Sequence, residues 1–214
     1  MDIRQGNTAE VFDYDEERVC KLFYQRIPYE YVQQEYENAR KLFKLGIRVP
    51  KAFEIISRAG RHGIIYEKID GRSMWEYIDN KHIFETFIAE HKKLLDHSIE
   101  GLISYKDLLI AMIRVVNNGE ISEDFIKEIS RLPNGNFILH GDYHPDNVLI
   151  TADGEFVIID LLNVCCGPKE YDVARTFFLL ENEKLQDRYL EEMGYCREDI
   201  EDYLAIIRET RKYE

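Results

Sequence analysis

The apolar positions of the chain keep one rhythm to about residue 69 and another beyond it. At first they come in short runs broken by turns: Val11-Phe12, the acidic turn Asp13 to Glu17, then Val19-Cys20-Lys21-Leu22-Phe23. A short run of β-branched and aromatic residues predicts a strand. A helix should follow from about Tyr29 to Leu45, because Val32, Tyr36, Ala39 and Phe43 step by four, three and four, the spacing of one helix face. Gly46 stops it. Lys51 to Ile56 and Gly63 to Ile69 predict two further strands, joined by a turn over Ser57 to Gly60.

After Asp70-Gly71 the pattern turns helical. Ile83 to His97 places Phe84, Phe87, Ile88, His91 and Leu95 on one side, and Tyr105 to Val116 and Ser122 to Arg131 also read as helices. Short strands return at Phe137 to Leu139 and Val148 to Ile150, and Asp153-Gly154 turns the chain into Phe156 to Ile159, a hairpin signal. From about Glu170 the chain is helical again, and Ile200, Tyr203, Leu204 and Ile207 mark the last amphipathic face. The pattern implies two lobes, a small sheet-rich one over residues 1–69 and a larger helical one over 70–214.

Charge narrows the partners. Twenty-eight Lys and Arg stand against 41 Asp and Glu, for a net charge of −13. Such a surface repels phosphate backbones, so a nucleic acid is not the expected partner. No apolar run approaches the ~18 residues of a membrane span, and the opening Met1 to Gly6 is too polar for a signal peptide. Cys20, Cys165, Cys166 and Cys196 have no C-x-x-C spacing, which favours neither zinc nor a disulfide framework. The expectation is a cytoplasmic protein without a membrane partner.

The candidate chemistry lies in His140-Gly141-Asp142-Tyr143-His144-Pro145-Asp146-Asn147, a polar string between two apolar strands, and in Asp160 at the end of the next strand. Two carboxylates and an amide near one hairpin are hard oxygen donors. They suit Mg²⁺, which needs few protein ligands when phosphates and water supply the rest. A lone Asp beside a substrate hydroxyl can accept or orient its proton.

This string resembles the catalytic loop of the aminoglycoside phosphotransferase and choline kinase family, whose fold is that of protein kinases. The family pattern H-G-D-x-H-x-x-N, a strand ending in I-D and a downstream Y-D-x-A correspond to His140 to Asn147, Ile159-Asp160 and Tyr171 to Ala174. The resemblance implies an α+β, two-lobed, protein-kinase-like fold and transfer of the ATP γ-phosphoryl group to a hydroxyl of a small molecule. It makes Asp142 the catalytic aspartate, Asn147 and Asp160 the Mg²⁺ ligands, and Lys21 the contact to the nucleotide phosphates. The partner of Lys21 should be a glutamate on the helix from Tyr29 to Leu45. At ~100° per residue Glu35 lies about 50° from the centre of the apolar face and Glu37 about 150° away, so Glu35 is the choice. Gly6 to Glu10 falls where a nucleotide-covering loop belongs, with the backbone of Asn7 and Thr8 towards phosphate. It has one glycine where G-x-G-x-x-G has three. Glu67 and Ile69, in the segment linking the lobes, are the expected backbone contacts to adenine.

Blander readings accompany these. Lys21 could be a surface lysine, and Asp142 a turn carboxylate. His140 and His144 read as loop-bonding residues rather than metal ligands. Asp172 should tie the loop by hydrogen bonds, with Arg175 pairing with it or with another acid. Asp146 reads as a solvated loop residue, His91 as a satisfied core histidine, and Cys165-Cys166 as small buried hydrophobes. The acidic stretch Glu181 to Glu192 is either a solvated helix face or the lining of a site for a cation. The segment from Leu102 to Asn136 is short, which fits a small alcohol, amino alcohol or sugar, and the net charge leans towards a cationic one. Two rivals remain: an atypical protein Ser/Thr kinase, against which H-G-D and the lack of A-P-E argue, and a non-catalytic nucleotide-binding pseudokinase.

Overall fold

The pleat of one strand organises the first part of the molecule. In the computed structural model, which describes residues 4–116 and 119–210, β1 (Arg4–Gln5), β2 (Ala9–Asp13) and β3 (Arg18–Phe23) begin an antiparallel sheet. Helix α1 (Tyr29–Lys44), β4 (Ala52–Arg58) and β5 (Arg61–Glu67) follow, and the five strands lie in the order β1-β2-β3-β5-β4. Met1 to Ile3, the start of the polar opening segment, lie outside the described residues. Side chains alternate across a strand. Cys20 and Leu22 therefore join Phe12 and Ile65 in one apolar cluster, and Lys21 between them points to the other face. There the register sets it beside Ile64, with Val19 beside Tyr66.

Strands β4 and β5 run further into their turn than the apolar pattern suggests. Arg58 pairs with Arg61, so only Ala59 (φ 51°) and Gly60 (φ 73°) turn the chain. Two consecutive positive φ angles match the right-handed twist of the flanking strands.

A second, three-stranded sheet in the order β6-β8-β9 is built from β6 (Gly71–Ser73), β8 (Val148–Thr151) and β9 (Phe156–Ile158). Its pairing of Gly71 with Thr151 and Ser73 with Leu149 alters the division of the chain. One compact unit comprises Met1–Glu76 with Asp146–Leu162, the other Tyr77–Pro145 with Asn163–Glu214. The sequence boundary at 69/70 does not include this pairing, because Gly71-Arg72-Ser73 lacks the β-branched and aromatic run that marks a strand.

The second unit contains α2 (Lys81–Leu95), α3 (Tyr105–Val116), α4 (Glu123–Arg131) and β7 (Phe137–Leu139), then β10 (Cys165–Gly167), α5 (Lys169–Leu179), α6 (Glu183–Met193) and α7 (Arg197–Thr210). α2 starts before Ile83 because the Asn80 side chain accepts the amides of His82 at 3.0 Å and Ile83 at 3.3 Å, an N-cap that fixes the first turn. α5 packs against α6, α7 and β7, and α2 against α6 and β7. Among the described residues no helix is long and apolar enough to cross a membrane.

Candidate active site

In the first unit Lys21 is only 9% exposed and Glu35 only 1%. Lys21 Nζ donates to Glu35 Oε1 and Oε2 at 2.8 and 2.9 Å and to Asp160 Oδ1 at 2.7 Å. An ammonium has three N–H donors, and three carboxylate oxygens receive them. Burial works to lower the Lys21 pKa, but the carboxylates of Asp160 and Glu35 outweigh it and hold the ammonium above its ordinary value. Tyr66 completes the cluster, its hydroxyl donating to Glu35 Oε1 at 3.0 Å. Burial and the neighbouring Glu35 keep that phenol protonated. Lys21 is thus no surface lysine. Glu35 is the glutamate that meets it, while the Glu37 side chain is 54% exposed and pairs with Arg40.

Asp160 is placed from both sides. Val148 pairs with Ile158, and the Ile159 amide donates to the Asn147 carbonyl at 2.9 Å, so the hairpin register brings Asn147 and the Asp160 segment to one end of the hairpin. Asn38, one turn beyond Glu35 on α1, donates to the Leu161 carbonyl at 3.1 Å. Between these anchors Asp160 adopts φ 59°, a left-handed conformation that costs a non-glycine residue about 1–2 kcal/mol. Strain of this kind persists where the surroundings over-determine it.

Asn147 and Asp160 are the hard oxygen donors a Mg²⁺ site would need. The Asp160 side chain is 42% exposed where its partner Lys21 is 11%, so solvent reaches it. Among the described residues no three His, Cys, Asp or Glu side chains converge on a metal position. Two donors from one hairpin fit an ion that takes few protein ligands and completes its shell with phosphate and water.

In the second unit Asp172, on α5, is fully buried. Its Oδ2 accepts the His140 amide at 2.8 Å and its Oδ1 the Gly141 amide at 2.7 Å. Burial raises its pKa, but the bonds from His91 and the His140 amide outweigh that and the carboxyl stays below its ordinary value. Gly141 has φ 75°, and a Cβ there would lie 2.5 Å from the Asn163 carbonyl oxygen; only glycine fits. The Asp142 amide then donates to His140 Nδ1 at 3.3 Å. Its half-buried carboxylate lies 3.3 Å from Arg175 Nη2 and 3.6 Å from His144 Nε2. Burial works against its charge, but His144, Arg175 and His140 prevail and hold its pKa at about 2.

Arg175 therefore meets Asp142. His140 bonds the loop backbone, whereas His144 approaches the Asp142 side chain. Asp146 is exposed, yet it accepts the Ser73 hydroxyl at 2.9 Å. Asn7 and Thr8 lie in the β1–β2 connection, closed by the Gly6 amide on the Ala9 carbonyl at 2.9 Å, and the Thr8 carbonyl takes the Tyr24 amide at 2.9 Å. The Asn7 carbonyl accepts Arg26. The Glu67 amide donates to the Lys51 carbonyl at 2.9 Å, and its carboxylate accepts the Lys51 amide at 3.1 Å. Ile69 is half-buried between β5 and β6. Sequence reasoning missed Tyr66, which reads as one more apolar residue in Ile64-Ile65-Tyr66.

A sequence model of the phosphotransferase enzyme family, APH, matches residues 119–203, a stretch that holds Asp142, Asn147, Asp160 and Asp172. No curated protein matches the chain. Among solved structures, an aminoglycoside-3'-phosphotransferase of type VIII superposes with a TM-score of 0.72 at 17% identity, covering 95% of this chain and 89% of its own. The aminoglycoside phosphotransferase APH(3'')-Id from Streptomyces rimosus, in complex with ADP and streptomycin, gives 0.67 at 16% identity, over 94% and 90%. The choline kinase LicA from Streptococcus pneumoniae gives 0.69 at 16% identity, over 100% and 84%. The chain has the fold of these phosphotransferases.

Proposed function

We propose that the chain is an ATP-dependent phosphotransferase that moves the γ-phosphoryl group to a hydroxyl of a small molecule. The observation that carries this reading is the Lys21–Glu35–Asp160 cluster. It assembles a strand, a helix and a hairpin end around one ammonium and sets a solvent-facing carboxylate beside it. In this reading the first unit serves the nucleotide. Glu35 steadies Lys21 for the phosphate oxygens, the carbonyl of Glu67 and the backbone of Ile69 meet adenine, and Asn7 and Thr8 cover the phosphates. Asn147 and Asp160 would hold Mg²⁺, which when bound neutralises charge on those oxygens.

The second unit serves the acceptor. A carboxylate whose pKa is about 2 is a weak base at neutral pH. Asp142 therefore accepts a hydrogen bond from the acceptor hydroxyl and aims its oxygen at phosphorus, while Arg175 and His144 hold the carboxylate. The new O–P bond forms as the bond to the ADP oxygen breaks, and the hydroxyl proton, made acidic as that bond forms, passes late to the Asp142 carboxylate and from there to solvent. Such catalysis is mostly positioning and charge stabilisation. A cationic amino alcohol or amino sugar is the favoured acceptor. It suits the net charge of −13 and parallels the streptomycin complex and the choline kinase that share the fold.

The test is ADP release from Mg-ATP over a panel of choline, ethanolamine, sugars, nucleosides and aminoglycosides, with Asp142→Ala alongside. Acceptor-dependent release that vanishes in the variant is the expected result. Release that ignores every acceptor, or that survives the substitution, overturns the reading. Transfer to a generic protein would favour a protein kinase, and nucleotide binding without turnover a pseudokinase.

A further inference from the structure

Two short connections in the five-stranded sheet turn the chain by different means. Between β4 and β5, Ala59 and Gly60 both take a positive φ, the geometry that lets a two-residue hairpin turn follow the strand twist unaided. Between β1 and β2 the Gly6 amide donates to the Ala9 carbonyl at 2.9 Å, which leaves Asn7 and Thr8 to turn the chain. Neither has a positive φ; among the described residues the non-glycine positions that do are Ala59, Asp160 and Glu181. A tight turn without positive φ splays its strands, so the shape of this one has to be held from outside.

The holding groups come from the segment after β3. The Tyr24 amide donates to the Thr8 carbonyl at 2.9 Å, and the Arg26 guanidinium donates to the Asn7 carbonyl. Arg26 lies over the Tyr24 ring, 5.0 Å from its centroid. Arg61 lies 5.3 Å from the same centroid. It is itself fixed by the Phe23 carbonyl at 2.7 Å, the Leu22 carbonyl at 2.8 Å and the Glu10 carboxylate at 3.2 Å. In a planar trans peptide the C=O and N–H point in opposite directions. With the Asn7 carbonyl drawn to Arg26, the Thr8 amide of the same peptide is turned away from that guanidinium. Among the described residues no acceptor meets the amide of Asn7 or of Thr8.

We infer that Arg26, seated on Tyr24, is a positioning residue that holds the Asn7–Thr8 turn with its amides presented to the nucleotide phosphates. The inference rests on the reading of Asn7 and Thr8 as the cover of those phosphates. It explains how a loop with a single glycine, Gly6, keeps one shape: side chains of the neighbouring segment supply the restraint that the turn's own backbone lacks. An amide that must be ordered as the ligand arrives gives up part of its affinity, whereas one fixed beforehand does not.

The experiment measures Kd for ADP and for adenosine by calorimetry, with Mg²⁺ present, in the wild type, Arg26→Met and Arg26→Lys. Arg26→Met keeps much of the side-chain length and removes its donors and charge. It should weaken ADP binding by about tenfold, the loss of one hydrogen bond from a charged group, and leave adenosine binding within about twofold. KM for ATP should rise by the same factor with kcat kept. Arg26→Lys, which can still donate to the Asn7 carbonyl, should recover most of the loss. Amide hydrogen exchange supplies a readout independent of the nucleotide: the Gly6 and Tyr24 amides should exchange faster in Arg26→Met, with α1 unchanged. An equal loss for ADP and adenosine would mark general damage to the first unit. Weaker ADP binding with unchanged exchange of the two amides would mark a charge acting at a distance. Either result overturns the inference, as does ADP binding at wild-type strength. If Arg26→Met does not fold, Tyr24→Leu, which removes the ring under Arg26 and keeps the backbone amide, decides by the same readouts. The wild type separates the failures: if it binds ADP no more tightly than adenosine, the functional reading falls and this inference with it. A wild-type preference for ADP that Arg26→Met retains overturns this inference alone.

Discussion

Each unit buries a carboxylate, and the two are held in opposite ways. Glu35 is stabilised by side chains, the ammonium of Lys21 and the phenol of Tyr66. Asp172 is stabilised by two backbone amides and an imidazole. The first cluster includes a member, Asp160, that faces solvent, and its charges can be re-partnered by an incoming polyanion with its metal. The second is closed on all sides, and its bonds cannot exchange without moving the loop. On the proposed reading the first cluster receives the charge of the nucleotide and the second holds the loop that carries Asp142.

That contrast breaks most sharply at Asp160. Asp160→Ala should abolish Mg-dependent nucleotide turnover, a loss on the order of 10³-fold or more in kcat/KM. Melting should stay near wild type or fall slightly, because alanine keeps the left-handed strain and Lys21 loses one of its carboxylate partners. Turnover that persists, followed by coupled ADP assay across a Mg²⁺ titration, would remove Asp160 from the metal assignment.

Lys21→Met should lose both function and stability. It leaves Glu35 as an uncompensated buried charge, which costs about 3–5 kcal/mol, measurable by urea unfolding. Adding Glu35→Gln should return part of that stability and none of the activity. An additive double-mutant cycle would show that the two side chains are not coupled.

The second unit is tested by pH. Asp142 titrates at about 2 rather than at its ordinary 3.8, so the folded state binds that proton less readily than the unfolded chain. Its stabilising contribution is present above about pH 4 and fades as pH falls towards 2. Activity should therefore show no limb from Asp142 between pH 5 and 7. Arg175→Gln should move the acid limb upwards, towards the ordinary carboxylate range, and a profile unchanged in that variant would contradict the pairing. The smallest effect belongs to Tyr66→Phe. Losing one hydrogen bond to a carboxylate should cost about 1.5–3 kcal/mol and raise KM for the nucleotide a few-fold with kcat nearly kept, as initial-rate kinetics would show.

The same contrast explains what could be read from the residues alone. The string His140 to Asn147 is contiguous, and its chemistry is legible at a glance. Lys21 and Glu35 become legible through periodicity: a strand that alternates around Cys20 and Leu22 must turn Lys21 to the opposite face, and helix geometry turns Glu35 inwards and Glu37 outwards. The pairing of His91 with Asp172 is different. Its members come from two helices, far apart in sequence, and each has an adequate local explanation as a core residue; only packing brings them together. Strands β6 (GRS) and β10 (CCG) lack the β-branched and aromatic run that makes β7 and β9, of the same length, recognisable. Arg175 was legible as a cation near an acid, but that Asp142 is an acid it meets is visible only in the structure.

The central claim, transfer of a phosphoryl group to a small hydroxyl compound under the control of Asp142, is tested most directly by ³¹P NMR of the reaction of Mg-ATP with the acceptor that gives the fastest ADP release. The account predicts a new phosphomonoester resonance growing in step with ADP in the wild type and absent with Asp142→Ala. Inorganic phosphate as the sole new signal, or an equal phosphomonoester signal from the variant, would contradict it.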